Sequence, residues 1–597
     1  MRTKIRLILL RALASCFLTA GAFAAAPPIS YIISIDPADL SGFDVEMRIP
    51  GARDTLRVAM AAHPEYDDRY WRYIENFSAV DSRGKTFSLA KEQDAVWRIK
   101  NAQGNVIVRY RLRLPAQQGT YRDAWKPFLT PTGGMVGDLH SLMYVVGRES
   151  ARARLTLLMP DKWKAATGLE PTRHPLTFTG STELMLDSPV MIGSLTESEF
   201  RAGGVSHKVA FWSPPDGPAF DAEAIVSSVR KISDEAIKAF GRPPYPRYVF
   251  LFQNGGQAGL EHFTSVNVGL SPNLEDFLQQ VTHEYIHVWN LMDVKPRERV
   301  GVRSRFAEPT GVLWWNEGAT IMFADLVIRR AGVPGETRTR MKRLESAIAR
   351  YLTSPGYYTL SAEQVSRGDS HPALLGDTSA STHLQGEVLS TMLDFKIRDV
   401  TDGRRNVVDV MRLLASRFDF RRGIVNRDIE NAVAQVCGCK IGPFFQEYIY
   451  GAKKIDFDHY LRLIGMRAEI GTTPAVGRDG SPAADVRIGP LSGEPTADGL
   501  RIRITNPQSA WAKAGLHTGD VMTSIDGSPV ANWGDLRQGL QKLKIGDVAR
   551  VAMLRDGVSR EVNVAIRGYS IATVQLSEIP AATPKQVRLC DAWNTAN

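Results

Sequence analysis

Two histidines, His283 and His287, stand four residues apart in the stretch VTHEYIHVWN at 281–290, and Glu284 directly follows the first. A helix advances about 100° per residue, so positions i and i+4 share a face and both imidazoles can aim at one ion. Zinc accepts imidazole nitrogen well and imposes no rigid ligand field. Glu284 lies about a quarter turn from the first ligand, within reach of a water beside the metal. Zinc brings such a water's pKa to about 7, and a carboxylate in reach takes its proton as it attacks a carbonyl. The pattern arises by chance in about one chain of this size and composition in a hundred, so alone it also fits a solvated helix face. Its surroundings speak against that. Leu274, Phe277, Leu278, Val288 and Trp289 make the helix apolar, and polar groups in such a helix call for partners.

A catalytic zinc needs a third protein ligand and an open position. Glu317, in LWWNEGAT at the start of the next apolar helix, meets the first need. It lies 30 residues beyond His287, enough chain for a loop and an antiparallel return. On its own it would be a first-turn acid complementing the helix dipole. The set His283, His287 and Glu317 calls for one zinc ion. Asp325, farther along the same helix, is not assigned to the site.

Stretches such as YIISI, FDVEMRI, TLRVAM and VIVRYRLRL alternate or run β-rich between turn residues, giving a β-rich domain over 27–215. From 216 to 469 the texture is mixed. An amphipathic helix (DAEAIVSSVRKISDEAIKAFG) leads to a buried strand (RYVFLF), the glycine-rich QNGGQAGLEHFTS, and then long helical patterns. Residues 470–498 are rich in glycine, proline and small residues and read as a linker. Residues 499–567 form a last compact unit, and 568–597 remain an unassigned tail.

The chain has 597 residues, too many for one hydrophobic core, so two to four domains are expected. The formal net charge is +9, but basic and acidic residues are interspersed, with no long Lys/Arg block, zinc-finger spacing or Walker loop. A nucleic-acid partner is not expected. The basic start MRTKIRLILLR, the apolar ALASCFLTAGAFA and the small residues Ala22 and Ala24 form an export signal over 1–24. This points to a bacterial periplasmic location. LASC, ending at Cys16, leaves a lipoprotein anchor as the alternative. No other stretch has the length of a transmembrane helix. Cys437, Cys439 and Cys590 remain after the signal; CGC is too tight for a two-point zinc clamp, and an oxidising compartment permits a bridge from Cys437 or Cys439 to Cys590.

HEYIHVWN followed by LWWNEGATIMFADLVIRRAG resembles the glycyl aminopeptidase family of gluzincin zinc metallopeptidases. AGLEH upstream, FFQEYIYGAKKIDFDHYLRLIGM downstream and YWRYIENFSAVDSRGK in the β-rich part extend the likeness over nearly the whole chain. The resemblance implies a multidomain α+β chain: a β-sandwich-like N-terminal domain, a thermolysin-like α/β plus helical catalytic domain, and a small β-rich PDZ domain. It implies an exported zinc aminopeptidase that removes small N-terminal residues, glycine or alanine, from peptides. Glu284 is then the general base. In related enzymes a glutamate in the place of Glu261 holds the substrate's α-amine, and Gly259 lets a peptide backbone approach the strand edge.

The sequence departs from the family in one place. Where members carry a Tyr-Tyr pair before Lys-Gly, this chain has STHLQG, with Thr382 and His383 at the tyrosines and Gln385 at the lysine. A tyrosine hydroxyl there helps stabilise the oxyanion in related enzymes, and loss of such a donor costs about 10²–10³ in rate. His383 is the candidate replacement; Tyr357 and Tyr358 carry no tie to the metal. A weakly active peptide-binding or scaffold protein, or an endopeptidase, stands as the alternative.

The segment DGLRIRITNPQSAWAKAGLHTGDVMTSIDGSPV resembles a PDZ domain of the bacterial protease-associated type, in which a C-terminal peptide adds as a strand. Gly499, Leu500, Arg501 and Ile502 match the peptide-binding loop.

Overall fold

The computed structural model describes residues 27–596 apart from 62–68, 117–121, 302–308, 334–338, 370, 478 and 492–497. The expected signal at 1–24, with Cys16, lies outside the described residues. Period-2 alternation builds the N-terminal domain. In the strand Ile29–Ser34, Tyr31 and Ile33 face inward; the strand pairs antiparallel with Gly42–Ala52 and parallel with Arg152–Leu158. A seven-stranded sheet and two four-stranded sheets close around one core that includes Phe43, Val108, Leu155 and Ile192.

The central domain starts with β1 (Thr196–Ala202), β2 (Val205–Trp212) and helix α1 (Ala222–Phe240), continued by β3 (Arg247–Gln253), β4 (Gly259–Glu261) and β5 (Ser265–Gly269). Their order is β1-β2-β3-β5-β4. Strands β2, β3 and β5 are parallel, while β4 returns antiparallel at the edge. The sequence groups β1 and β2 with the N-terminal domain. They belong instead to this sheet, because β2 pairs along its length with β3. β3 is a continuous apolar run because both faces are covered. Phe128, Met135 and Met191 of the N-terminal domain pack on Trp212, Val249 and Leu251, and helices cover the other face.

Helix α2 (Leu274–Ile286) starts at Asn273, whose side chain accepts from the Glu275 and Asp276 amides. Then come α3 (Thr320–Ala331), α4 (Arg340–Thr353) and α5 (Thr382–Val400). Asp325 is a structural residue here. Its carboxylate meets Arg329 at 2.9 Å, Arg340 at 2.7 Å and Arg343 at 2.8 Å, clamping α3 to α4.

The C-terminal part departs from the linear reading. Strand β6 (Met466–Pro474) begins before the expected linker and runs into it. The PDZ strands β7 (Ile488–Pro490), β8 (Leu500–Ile504) and β9 (Val521–Ile525), helix α6 (Trp533–Leu540), β10 (Val548–Arg555) and β11 (Val558–Ala565) follow. Then β12 (Ser570–Glu578) and α7 (Pro584–Asn594) occupy the expected tail. β12 pairs antiparallel with β6, from Met466↔Glu578 to Pro474↔Ser570. The PDZ domain, with its own core around Ile502, Trp511 and Met553, is thus carried on a two-stranded stalk. Leu576, Leu589 and Trp593 return to the central core, where the Arg340 guanidinium stacks 4.5 Å over the Trp593 ring. Among the described residues no helix is long and apolar enough to cross a membrane.

Candidate metal centre

His283 and His287 sit at the end of α2, and there the helix breaks. Asn290 (φ −106°, ψ 51°) and Leu291 (φ 175°, ψ −43°) are non-helical. The break turns the Asn290 carbonyl toward the His287 ring, 3.4 Å from Nδ1, which leaves Nε2 for the site. The Asn290 amide donates to the Trp315 carbonyl and to Thr320 Oγ1, both at 3.0 Å. Asn316 donates back to the Val294 carbonyl at 3.1 Å and the Asn290 carbonyl at 3.3 Å. These two asparagines lace the histidine helix to the segment that carries Glu317. That segment, Trp314–Ala319, is a π-helical turn, a wide geometry often found at functional sites.

Three donor atoms converge. The Nε2 atoms of His283 and His287 are 2.9 Å apart, and Glu317 Oε2 lies 3.4 Å and 3.2 Å from them. Two imidazole nitrogens and a carboxylate oxygen around one point, with side chains 15%, 2% and 7% exposed, form a donor set suited to zinc. Burial and the nearby His287 push the His283 imidazole down to about 4, so it is neutral and ready to ligate. Burial works against charge on His287, but Glu317 outweighs it and pushes the ring up to about 10. Burial likewise opposes charge on Glu317, yet His287 and hydrogen bonds from the three histidines hold its carboxyl well below the usual range. Burial lifts Glu284 to about 8, helped by Glu261 and Glu317.

Glu284 faces the edge strand β4. A side chain at Gly259 would press on Glu284 Cγ, so a residue without Cβ leaves room between the strand and that carboxylate. Glu261 ends the same strand. It opens on a cavity of about 60 Å³ walled by Leu139, Leu186, Leu260, Leu291 and Met292 among others.

The first turn of α5 closes the other side. His383 Nε2 lies 3.1 Å from Glu317 Oε2. Thr382 turns away and donates its hydroxyl to Asp369 Oδ1 at 2.6 Å. The Tyr357 hydroxyl accepts from the Ser381 amide at 3.1 Å, and Gln385 donates to the Tyr357 carbonyl at 3.2 Å. Tyr357 therefore anchors the entry to α5 rather than facing the metal ligands. Sequence reasoning did not find Asn290 or Asn316, and it named Tyr357 only as a residue without a tie to the metal. Their types carry no periodic signal, although Asn290 and Asn316 both fall inside the two motifs that carry the ligands.

Residues 30–194 match the Peptidase M61 N-terminal domain, residues 276–386 the M61 glycyl aminopeptidase, and residues 480–566 a PDZ domain. Over both of its matched peptidase domains the chain is similar to the M61 glycyl aminopeptidase family. That likeness supports a zinc metallopeptidase of the aminopeptidase type. Its fold is similar to that of an aminopeptidase N family protein from Idiomarina loihiensis, at 20% identity and a TM-score of 0.70, covering 94% of this chain and 99% of that one. An M1 zinc metallopeptidase from Deinococcus radiodurans aligns at 14% identity with a TM-score of 0.47, over 72% of this chain and 95% of that one. Among curated proteins, the periplasmic serine endoprotease DegP of Escherichia coli is 36% identical over 73 residues, 12% of this chain. The magnetosome formation protease MamE of Paramagnetospirillum magneticum is 32% identical over 95 residues, 16% of this chain. The chain spans only 15% of DegP and 13% of MamE. The DegP likeness falls in the PDZ region.

Gly499 to Ile502 lie at the start of β8. Ile502 pairs with Pro490 of β7, and Leu500 and Arg501 pair with Met522 and Val521 of β9. Among the described strands β7 and β11 are the outer ones of this sheet. One expectation needs correction, the pairing of the cysteines. Cys437 is bonded to Cys439, and Cys590 is buried without a bridge. Gly438, left-handed at φ 62°, ends the helix Asn426–Cys437 and turns Cys439 back onto its neighbour.

Proposed function

We propose that this protein is an exported zinc aminopeptidase that removes small N-terminal residues, glycine or alanine, from peptides. His283, His287 and Glu317 would hold one zinc ion. When bound, zinc supplies Lewis acidity that polarises a carbonyl and acidifies a water. Glu284 accepts the proton of the attacking water and returns it to the leaving amine. Its carboxyl, pushed up to about 8 by burial, is a competent base at neutral pH only with a dication beside it. Glu261 receives the substrate's α-ammonium in a charge-assisted hydrogen bond and fixes the chain end one residue from the scissile bond. The peptide backbone lies along β4, where Gly259 admits it.

The observation that carries this reading is the convergence of the three donors with Glu284 beside the edge strand that bears Glu261. The cavity of about 60 Å³ beside Glu261 supports a small first residue. The apolar start of the chain and the PDZ likeness to periplasmic DegP support export. A PDZ ligand would be a C-terminal peptide. The test is hydrolysis of glycyl and alanyl anilides, removed by chelation and restored by zinc. Free peptides should be trimmed and N-acetylated ones refused; Glu284→Gln should lose about 10²–10⁴ in kcat while retaining zinc. Unchanged turnover in Glu284→Gln would sink the proposal, and equal cleavage of acetylated peptides would make the enzyme an endopeptidase.

A second reading, a weakly active peptide-binding protein, draws on one observation. The Thr382 hydroxyl donates to Asp369 and so is not free to act as an oxyanion donor.

A further inference from the structure

His383 does more than replace a tyrosine. It is the second residue of α5, and the close approach of Gly386 to Gly318 sets its side chain over the Glu317 carboxylate. Its Nε2 is 3.1 Å from Glu317 Oε2, and its ring lies over that of His283 with centroids 5.7 Å apart. His283, Glu317 and His383 each present a ligand atom within 4.8 Å of the other two. A tetrahedral ion with bonds of the zinc–nitrogen and zinc–oxygen kind has ligand-to-ligand edges of about 3.3–3.6 Å. Four of the six edges among these donors, the three within His283, His287 and Glu317 and the one from His383 to Glu317, are 2.9, 3.4, 3.2 and 3.1 Å, on the same scale.

We propose that His383 is a fourth protein ligand of the resting metal ion, which completes a three-histidine, one-carboxylate shell. The inference rests on the zinc reading above. A catalytic zinc keeps one position open, whereas four protein ligands make a closed site. Peptide entry then requires the His383 side chain to turn out. It is placed for that, being 43% exposed at the first turn of a helix, while the three inner ligands are fixed in the interior. The substitution at the family's tyrosine thereby converts an open metal site into one that is shut until occupied. This gives STHLQG a function that loss of an oxyanion donor does not.

The test is zinc K-edge X-ray absorption on the full-length protein loaded with one equivalent of zinc, without substrate. Imidazole rings are counted from their outer-shell scattering. Three rings are expected in the natural protein and two in His383→Tyr. Zinc affinity, measured by competition with a chromophoric chelator, should fall tenfold or more in His383→Tyr and His383→Ala, since even residues outside the ligand shell change it by about 10–100-fold. Far-ultraviolet circular dichroism checks that both variants are folded. His383→Tyr should bind zinc less tightly yet turn over faster, because the fourth position is then open and a hydroxyl is restored. Two rings in the natural protein, or zinc affinity unchanged in both variants, overturns the inference and leaves His383 as an oxyanion donor only. A natural protein that takes up no zinc, no better than His283→Ala, overturns the zinc reading and this inference together.

Discussion

Gly318 and Gly386 meet backbone to backbone. A Cβ on Gly318 would overlap the Gly386 backbone, and one on Gly386 would overlap the Trp314 carbonyl. The first follows Glu317 directly and the second lies one turn past His383. This contact sets how near α5 comes to the π-helical turn, and so whether His383 reaches Glu317. Gly386→Ala should therefore act on stability and on the metal together. Overpacking a close backbone crossing costs about 1–3 kcal/mol. A lowered denaturant midpoint together with weaker zinc binding is expected. A midpoint shift with zinc affinity intact would separate the crossing from the site.

Glu261 carries the end-specificity. Replacing it with Gln keeps the size and removes the charge that meets the α-ammonium. A hydrogen bond to a charged group contributes about 1.5–3 kcal/mol, so KM for free glycyl peptides should rise about 10–100-fold. Discrimination against N-acetylated peptides should shrink by the same factor. Steady-state kinetics on paired free and acetylated peptides measures both, and an unchanged ratio would assign amine recognition elsewhere.

The elements that hold the site were legible to different degrees. The ligands on α2 follow from helical period, and Glu317 from the need for a third ligand on a return segment. The N-terminal strands follow from alternation, with Tyr31 and Ile33 inward. Contacts between distant segments were not legible. Asn290 and Asn316 act through a lacing that depends on the helix break at 290–291. The pairing of Met466 with Glu578 spans the whole PDZ domain, so local composition showed only a linker and a tail. The PDZ motif likewise marks a strand but not how many of its edges are already paired, and Ile502 is taken by Pro490.

Asp293 gives the fold a pH dependence. Burial, with Asp419 nearby, pushes its carboxyl up to about 6. Its folded pKa is raised, so the folded state binds the proton more tightly than the unfolded chain. Stability is then greatest below the ordinary carboxylate pKa and falls as pH rises through about 6. Asp293→Asn removes the buried charge. It should stabilise the protein by about 1–3 kcal/mol at pH 8 and by little at pH 4. Urea unfolding at the two pH values measures the difference, and equal gains at both would assign the effect to packing.

Asp377 latches the PDZ domain to the central domain. Its carboxylate meets His517 Nδ1 at 2.5 Å and accepts from the Thr518 amide at 2.6 Å, while Thr518 Oγ1 donates to the Gly376 carbonyl at 2.7 Å. Burial works to raise the Asp377 carboxyl, but the Thr518 and His517 hydrogen bonds outweigh it and hold it below its ordinary value. The latch is therefore present above the usual carboxylate range and is lost as pH falls through the lowered pKa. Beside it runs a cleft of about 500 Å³ lined from both domains by Tyr357, Asp369, Ser381, Arg487, Arg503 and Asn506. Of these, Tyr357 and Ser381 also anchor the start of α5. A pair exposed to this degree contributes up to about 1 kcal/mol, which corresponds to roughly fivefold faster local opening once it is removed. Asp377→Ala should raise hydrogen exchange at 376–381 and 517–519 by about that factor, with the core strand β3 unchanged. The same variant should leave zinc affinity near the natural value, since no metal ligand is touched. Uniform acceleration that includes β3 would mean that Asp377 supports global stability rather than a domain contact.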